Sequence, residues 1–391
     1  MLILKNCSVN PVTSETFIGD IAVEGGKIAE LGIGLEAKYT GARIIDLSGC
    51  TAIPGMIDAH CHVGLWEDGV GSVGIDGNDY YAPVTPELRS IDGINPHDRC
   101  FVEARECGVT TVVTGPGSAN VIGGQFVALK TNDGEIEDKL LKFPLAMKAA
   151  LGENPKRVFS GQKTFYTRMA VASHLRKALT DALDYDKKIK DAGDDESKLP
   201  KRDHSLEALL PVVRRELPLK IHAHRIDDIR TAIRIAREFN IRFTLDHFTE
   251  GYLYAASLKK DIDELGAGVI VGPYMSDRSK IELKNGSMKA PYELYKNGVK
   301  FAIMTDHPVI PIQYLPVCVS VAIREGLPED EALKALTINP AEILGLDERI
   351  GSLEVGKDAD IAVFRGDPFD PRVRCVLTLI NGEIVYSEIA Q

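Results

Sequence analysis

The sequence predicts an α/β chain: a (β/α)8 TIM barrel with a small β-sandwich domain built from both chain ends. Three observations predict it. Eight short apolar stretches in the middle of the chain alternate with helical ones. The two ends read instead as β-rich pieces, each too small to hold a core alone. Histidines and other polar residues collect where the central strands end, the place a barrel keeps its working residues. A doubly wound sheet is the alternative, but its glycine fingerprint is missing. Gly115-Pro116-Gly117-Ser118-Ala119-Asn120 has Asn where the third glycine belongs.

The elements follow in order. Leu2 to Val9 is a strand, and Ile18 to Val23 and Lys27 to Leu31 flank the hairpin signal Glu24-Gly25-Gly26. Arg43 to Leu47 is a further short strand. At the far end Asp360 to Phe364 and Arg374 to Ile380 are β-rich, and Asn381-Gly382 turns the chain into Glu383 to Tyr386. Residues 1–52 and 353–391 are therefore expected to pair into one small domain, with the barrel over 53–352. Its strands are expected at Ile53 to Ala59, Val109 to Thr114, Phe126 to Thr131, Leu145 to Ala150, Leu219 to Ala223, Arg242 to Asp246, Gly268 to Val271 and Lys300 to Thr305. Helices are expected at Pro96 to Cys107, Ala170 to Ile189, Ile226 to Phe239 and Pro291 to Asn297. The charge-dense stretch Asp184 to Asp203 reads as a solvated loop or helix end.

Composition narrows the partners. With 44% hydrophobic and 26% charged residues, the 391-residue chain is an ordinary globular one with room for a large core. A net charge of −11 argues against nucleic acid or an anionic membrane and leaves a small-molecule substrate. The seven cysteines are scattered, without a C-x-x-C pair, which suits a reducing compartment. No signal peptide and no membrane-spanning apolar run is read at the sequence level, so a cytoplasmic location is expected. Whether the chain forms a homo-oligomer is open.

The chemistry begins in Ala52-Ile53-Pro54-Gly55-Met56-Ile57-Asp58-Ala59-His60-Cys61-His62. Alternation along a strand puts His60 and His62 on one face and Cys61 on the other, half of a divalent-metal site. Other strand ends add His222 and His224, His247 and the pair Asp306-His307, while the fourth strand carries Lys148. Six of the nine histidines fall at these ends, and only His97, His174 and His204 lie elsewhere. On the rim, Gln125, Arg225, Tyr252 and Arg278 are placed to meet substrate, with Arg225 suited to a carboxylate.

The run from Pro54 to His62 resembles the first-strand signature of the amidohydrolase superfamily. The tail Thr337-Ile338-Asn339-Pro340-Ala341-Glu342-Ile343-Leu344-Gly345-Leu346, followed by Gly351 to Ile361, is similar to that superfamily's C-terminal motif. The resemblance spans nearly the whole chain and is nearest the imidazolonepropionase-related and isoaspartyl-dipeptidase-like branches. It implies one or two divalent ions, zinc first, with His60, His62 and Asp306 on the more buried one and His222 and His247 on the second. It also implies a carboxylated Lys148 as a bridge, for which Glu153 is the rival. His222 is favoured over His224 as a ligand by analogy, leaving His224 with Gln125 and Arg225 for substrate. The implied reaction is hydrolysis of a C–N bond in an amide, cyclic amide or dipeptide-like substrate, with Asp306 as general base and acid. A mononuclear deaminase or imidazolonepropionase-type ring hydrolase is the alternative, and a non-catalytic scaffold relative is a third.

Overall fold

The chain passes between its two sheets at Gly55. The computed structural model describes residues 1–389. The single strand expected over Ile53 to Ala59 is two strands, β5 (Thr51–Pro54) in the terminal sheet and β6 (Met56–Cys61) in the barrel. The whole run is buried, so hydrophobicity alone does not show the break. Glycine is required at the junction: a Cβ on Gly55 would stand 2.1 Å from Thr110 Oγ1. The Gly55 amide also donates to the Asp360 carbonyl at 2.9 Å. Gly55→Ala is expected to destabilise the fold by about 1–3 kcal/mol through overpacking, measured as a lower urea midpoint at unchanged m-value.

The terminal sheet takes β1 (Leu2–Val9), β2 (Phe17–Glu24), β3 (Lys27–Gly32), β4 (Arg43–Asp46) and β5 from the start of the chain. Hydrogen bonding joins them to three late strands in one sheet of order β16-β15-β14-β5-β1-β2-β3, with β4 beside β1. The late strands are β14 (Ile361–Phe364), β15 (Cys375–Ile380) and β16 (Glu383–Ser387). Its own core includes Leu4, Val9, Ile21, Leu353, Ile361 and Leu379. The sheet is fastened to the barrel by a buried ionic cluster. Lys130 pairs with Asp360 and with Asp358 at 3.1 Å, and Arg349 reaches Asp358 at 2.8 Å.

The barrel sheet runs β6, β7 (Val109–Thr114), β8 (Ile122–Lys130), β9 (Leu140–Ala150), β10 (Leu219–Ala223), β11 (Phe243–His247), β12 (Gly268–Val271) and β13 (Ala302–Ile303). It is nearly closed: the ends of the first and last strands meet through backbone bonds from His62 N to His307 O at 2.9 Å and from Asp306 N to His60 O at 3.1 Å. These bonds hold candidate ligands from opposite ends of the barrel sequence side by side.

One strand departs from the regular pattern. β8 runs antiparallel to both β7 and β9, whereas the remaining barrel pairs are parallel. No helix separates β7 from β8, and only the short helix Ile136–Lys139 separates β8 from β9. Antiparallel neighbours close through a short loop, where a parallel pair needs a long crossover. The long segment between β6 and the helix Arg99–Glu106 straps β8 instead, bridging Val84 to Ile122 and Arg89 to Gln125. Elsewhere amphipathic helices cover the barrel; Ile226–Phe239 buries Ile229, Ala232, Ile233 and Ala236 along one face. Among the described residues, no helix is long and apolar enough to cross a membrane.

Candidate metal centre

Strand alternation and closure bring the barrel-end histidines to one point. His60 lies fully buried on β6, and its Nδ1 meets Asp246 Oδ2 at 2.5 Å. A carboxylate acceptor there fixes the proton on Nδ1 and turns the Nε2 lone pair inward. Burial, reinforced by Lys148 and Lys220, pushes the His60 pKa well below its ordinary value, so the ring is neutral and able to ligate. His62 repeats the arrangement, with Nδ1 on the Gly115 carbonyl at 2.7 Å, and so does His247, with Nδ1 on the Gly272 carbonyl at 3.0 Å. Carbonyl oxygens only accept, so both rings carry their proton on Nδ1 and offer Nε2.

Asp306 closes the inner group. Its Oδ1 stands 3.2 Å from His62 Nε2 and 3.6 Å from His60 Nε2. His60, His247 and Asp306 present donor atoms all within 4.8 Å of one another, and so do His222, His224 and His247. Two neighbouring donor sets thus share His247. His222 has no hydrogen-bond partner on either ring nitrogen although it is buried, and His224 Nδ1 meets Thr249 Oγ1 at 2.7 Å. Burial lowers the pKa of both rings well below the ordinary value. Buried, neutral imidazoles with inward lone pairs and orphaned nitrogens form a donor set that fits a divalent cation.

Lys148 lies beside the inner group, its Nζ 3.2 Å from His60 Nε2. Burial is the main cause that pulls its pKa down to about 8, against the opposing pull of Asp246 and Asp306. Phe126 lies beneath, its ring 5.2 Å from that of His60. Deeper still, Lys220 faces Asp246 at 2.8 Å in an ion pair too oblique for a good hydrogen bond, and both side chains are fully buried. The backbone is strained at two of the candidate ligands: φ is +71° at His247 and +54° at Asp306. A left-handed conformation costs a non-glycine residue about 1–2 kcal/mol, and functional sites are where such strain collects.

A cavity of about 310 Å3 opens above these groups. His62, Lys148, His222, His224, His247 and Asp306 line its base. Trp66, Tyr80, Asn154, Arg157 and Lys280 contribute to its walls.

The remaining sequence candidates stand as follows. His224 lines the cavity beside His222, because residues two apart on a strand share a face. Gln125 and Arg225 do not line it. Gln125 Nε2 donates to the Pro86 carbonyl at 3.3 Å, and Arg225 pairs with Asp227 at 3.1 Å. The Glu153 side chain is also outside the lining; its backbone amide donates to Glu282 Oε2 at 3.0 Å. Tyr252 bonds the Asn285 carbonyl, and Arg278 bonds the Gly286 carbonyl on the wall of an adjoining cavity. His307 turns to its own loop, where Nδ1 accepts the Ile312 amide at 3.1 Å. His97 pairs with exposed Glu135, and His174 packs on Phe165.

Among the residues at the site that were not singled out from the sequence are Lys220, Asp246 and Glu282. Lys220 and Asp246 carried a usable signal, since Lys220 lies two residues before His222 on β10 and Asp246 directly precedes His247. Glu282 carried none: it lies in the loop after β12, and only the fold brings its carboxylate within 3.6 Å of His224 Nε2.

The amidohydrolase family profile matches residues 51–387. A crystal structure of an amidohydrolase from Thermotoga maritima MSB8 superposes with a TM-score of 0.95 at 42% identity, covering 99% of this chain and 100% of that one. The amidohydrolase tasK of Hapsidospora irregularis is 28% identical over 95% of this chain, which spans only 40% of that protein's length. An imidazolonepropionase of Thermoplasma acidophilum is 26% identical over 94% of this chain and 89% of its own.

Proposed function

The chain belongs to the amidohydrolase family, and from that premise we propose that it hydrolyses a C–N bond in an amide, cyclic amide or dipeptide-like small molecule. The observation that carries the reading is the convergence of neutral imidazole nitrogens, Asp306 and Lys148 at the base of one cavity. His60, His62 and Asp306 would hold one divalent ion, and His222 and His247 a second. Such an ion, when bound, lowers the pKa of water from about 15.7 toward 7 and polarises a carbonyl. Nitrogen and carboxylate donors suit zinc first.

The chain's own groups supply the rest. Asp306 reaches both the histidines and the cavity, so it can take a proton from the attacking water and hand it to the departing amine. Lys148, its pKa lowered by burial to about 8, is a free amine in a minority of molecules near neutral pH, far more often than an ordinary lysine. Such an amine adds carbon dioxide with loss of a proton and becomes an anionic carbamate. The His60 ring is kept in its ligating tautomer by Asp246. Arg157 is an exposed cation on the cavity wall, and its guanidinium suits a carboxylate on the substrate.

A one-ion ring hydrolase is the second reading, favoured by the inner set His60, His247 and Asp306, which gathers donors for one ion without Lys148. Elemental analysis of purified protein separates the two at two ions per chain against one. The activity test is a panel of N-acyl amino acids, dipeptides and cyclic amides with and without free carboxylates, assayed before and after chelation. Hydrolysis of a carboxylate-bearing member that chelation abolishes is expected; metal-loaded protein inert on the whole panel would count against the reading.

A further inference from the structure

We propose that Glu282 and His224 join His222 and His247 as protein donors to the outer metal position, giving that position four side chains of its own. The inference rests on the metal reading above and goes beyond it in naming a carboxylate from the seventh-strand loop. Glu282 lies in the turn Ile281–Leu283 and is 1% exposed. Its Oε2 accepts the Glu153 amide at 3.0 Å. Its Oε1 is buried and has no hydrogen-bond donor at all. Around Oε1 stand His224 Nε2 at 3.6 Å, His222 Nε2 at 3.9 Å and Lys280 Nζ at 4.0 Å.

A buried carboxylate oxygen with neither a donor nor a close counter-charge is costly. Both imidazole nitrogens and the Lys280 ammonium stand beyond hydrogen-bond reach of Oε1. A divalent ion shared with the histidines removes the conflict. Donors bound to one ion at about 2.1 Å stand about 3.4–3.6 Å apart at tetrahedral to trigonal angles, close to the 3.6 and 3.9 Å from Glu282 Oε1 to His224 and His222. His224 is oriented for this: Thr249 Oγ1 occupies Nδ1, leaving Nε2 toward Glu282. His222 brings two unpartnered nitrogens to the same place.

The backbone is shaped to seat this carboxylate. Gly152 has φ +92°, and a Cβ there would stand 2.9 Å from Glu282 Oε2. The turn leading into the helix Glu153–Gly161 therefore receives one oxygen of Glu282 on an amide and leaves the other facing the histidines. Lys148 is not needed for this four-donor set.

The test compares wild type with Glu282→Gln, His224→Gln, His60→Asn and Lys148→Met. Metal content is read after dialysis against buffered zinc, and visible spectra after cobalt substitution. Glu282→Gln and His224→Gln are expected to bind one of the two ions roughly tenfold or more weakly and to alter the cobalt spectrum. Lys148→Met should keep that ion, and His60→Asn should lose the other. Thermal unfolding guards against misfolding: metal-free Glu282→Gln should melt no lower than metal-free wild type, while its gain from added zinc shrinks. The proposal is overturned if Glu282→Gln keeps wild-type stoichiometry, affinity and spectrum, including the case where only the KM of an amine-bearing substrate changes. Wild type that binds no ion at all would remove the metal reading itself, a distinct result.

Discussion

Asp306→Asn is expected to lower kcat/KM by about 10^3-fold or more, a loss of about 4 kcal/mol of transition-state stabilisation. The substitution keeps size and shape but removes the negative charge and the ability to accept a proton. Its effect should fall mainly on kcat, because the proton moves only as the bond is broken. The fold should survive, since the backbone bond from residue 306 to the His60 carbonyl does not involve the side chain. Kinetics at saturating zinc, on the substrate found by the panel, check this. A variant within tenfold of wild type would show that the proton travels through another group.

The second large effect is expected on stability. Lys220→Met should cost about 3–5 kcal/mol, because it strands the Asp246 carboxylate in the interior with its counter-charge gone. Asp246 would keep only the Thr244 hydroxyl at 2.7 Å and His60 Nδ1. The double variant Lys220→Met/Asp246→Leu removes both charges and should recover most of the lost stability, because well-packed apolar groups often replace a buried pair without loss. It should not recover activity, since His60 would lose the acceptor that selects its tautomer, an effect worth roughly 10- to 100-fold in metal affinity. Urea denaturation of metal-free protein, paired with zinc titration, separates the two consequences. If Lys220→Met changes stability by under about 1 kcal/mol, the ion pair does not hold this layer together.

Much of the site was legible because its residues obey strand periodicity. His60, His62, His222 and His247 each end an apolar run, and Asp306 follows one, so the barrel rule places them on one rim. The same periodicity explains why His222 and His224 were indistinguishable: two residues apart on a strand, they face the same way, and both line the cavity. The reversal of β8 was hidden because alternation reads the same in either direction. Only the short connection over residues 115–121 hinted at it. Gly55 was hidden in a continuous apolar stretch, where burial on both sides gives no period to break. Glu282 lies on a loop, and no local pattern reports where a loop brings a carboxylate.

The reversed β8 bears on how substrate is received. The segment strapped to it carries Trp66, Asn78 and Tyr80 into the cavity wall. Thr85 N donates to Ile122 O and Gln125 N to Leu88 O, at 2.9 and 2.8 Å, so this wall is stitched to the barrel by sheet bonds. Trp66 packs on His62 with ring centres 4.5 Å apart. A wall already ordered before binding loses little conformational freedom when substrate arrives, so its contacts pass into affinity with small entropic loss. Recognition on this side is pre-organised.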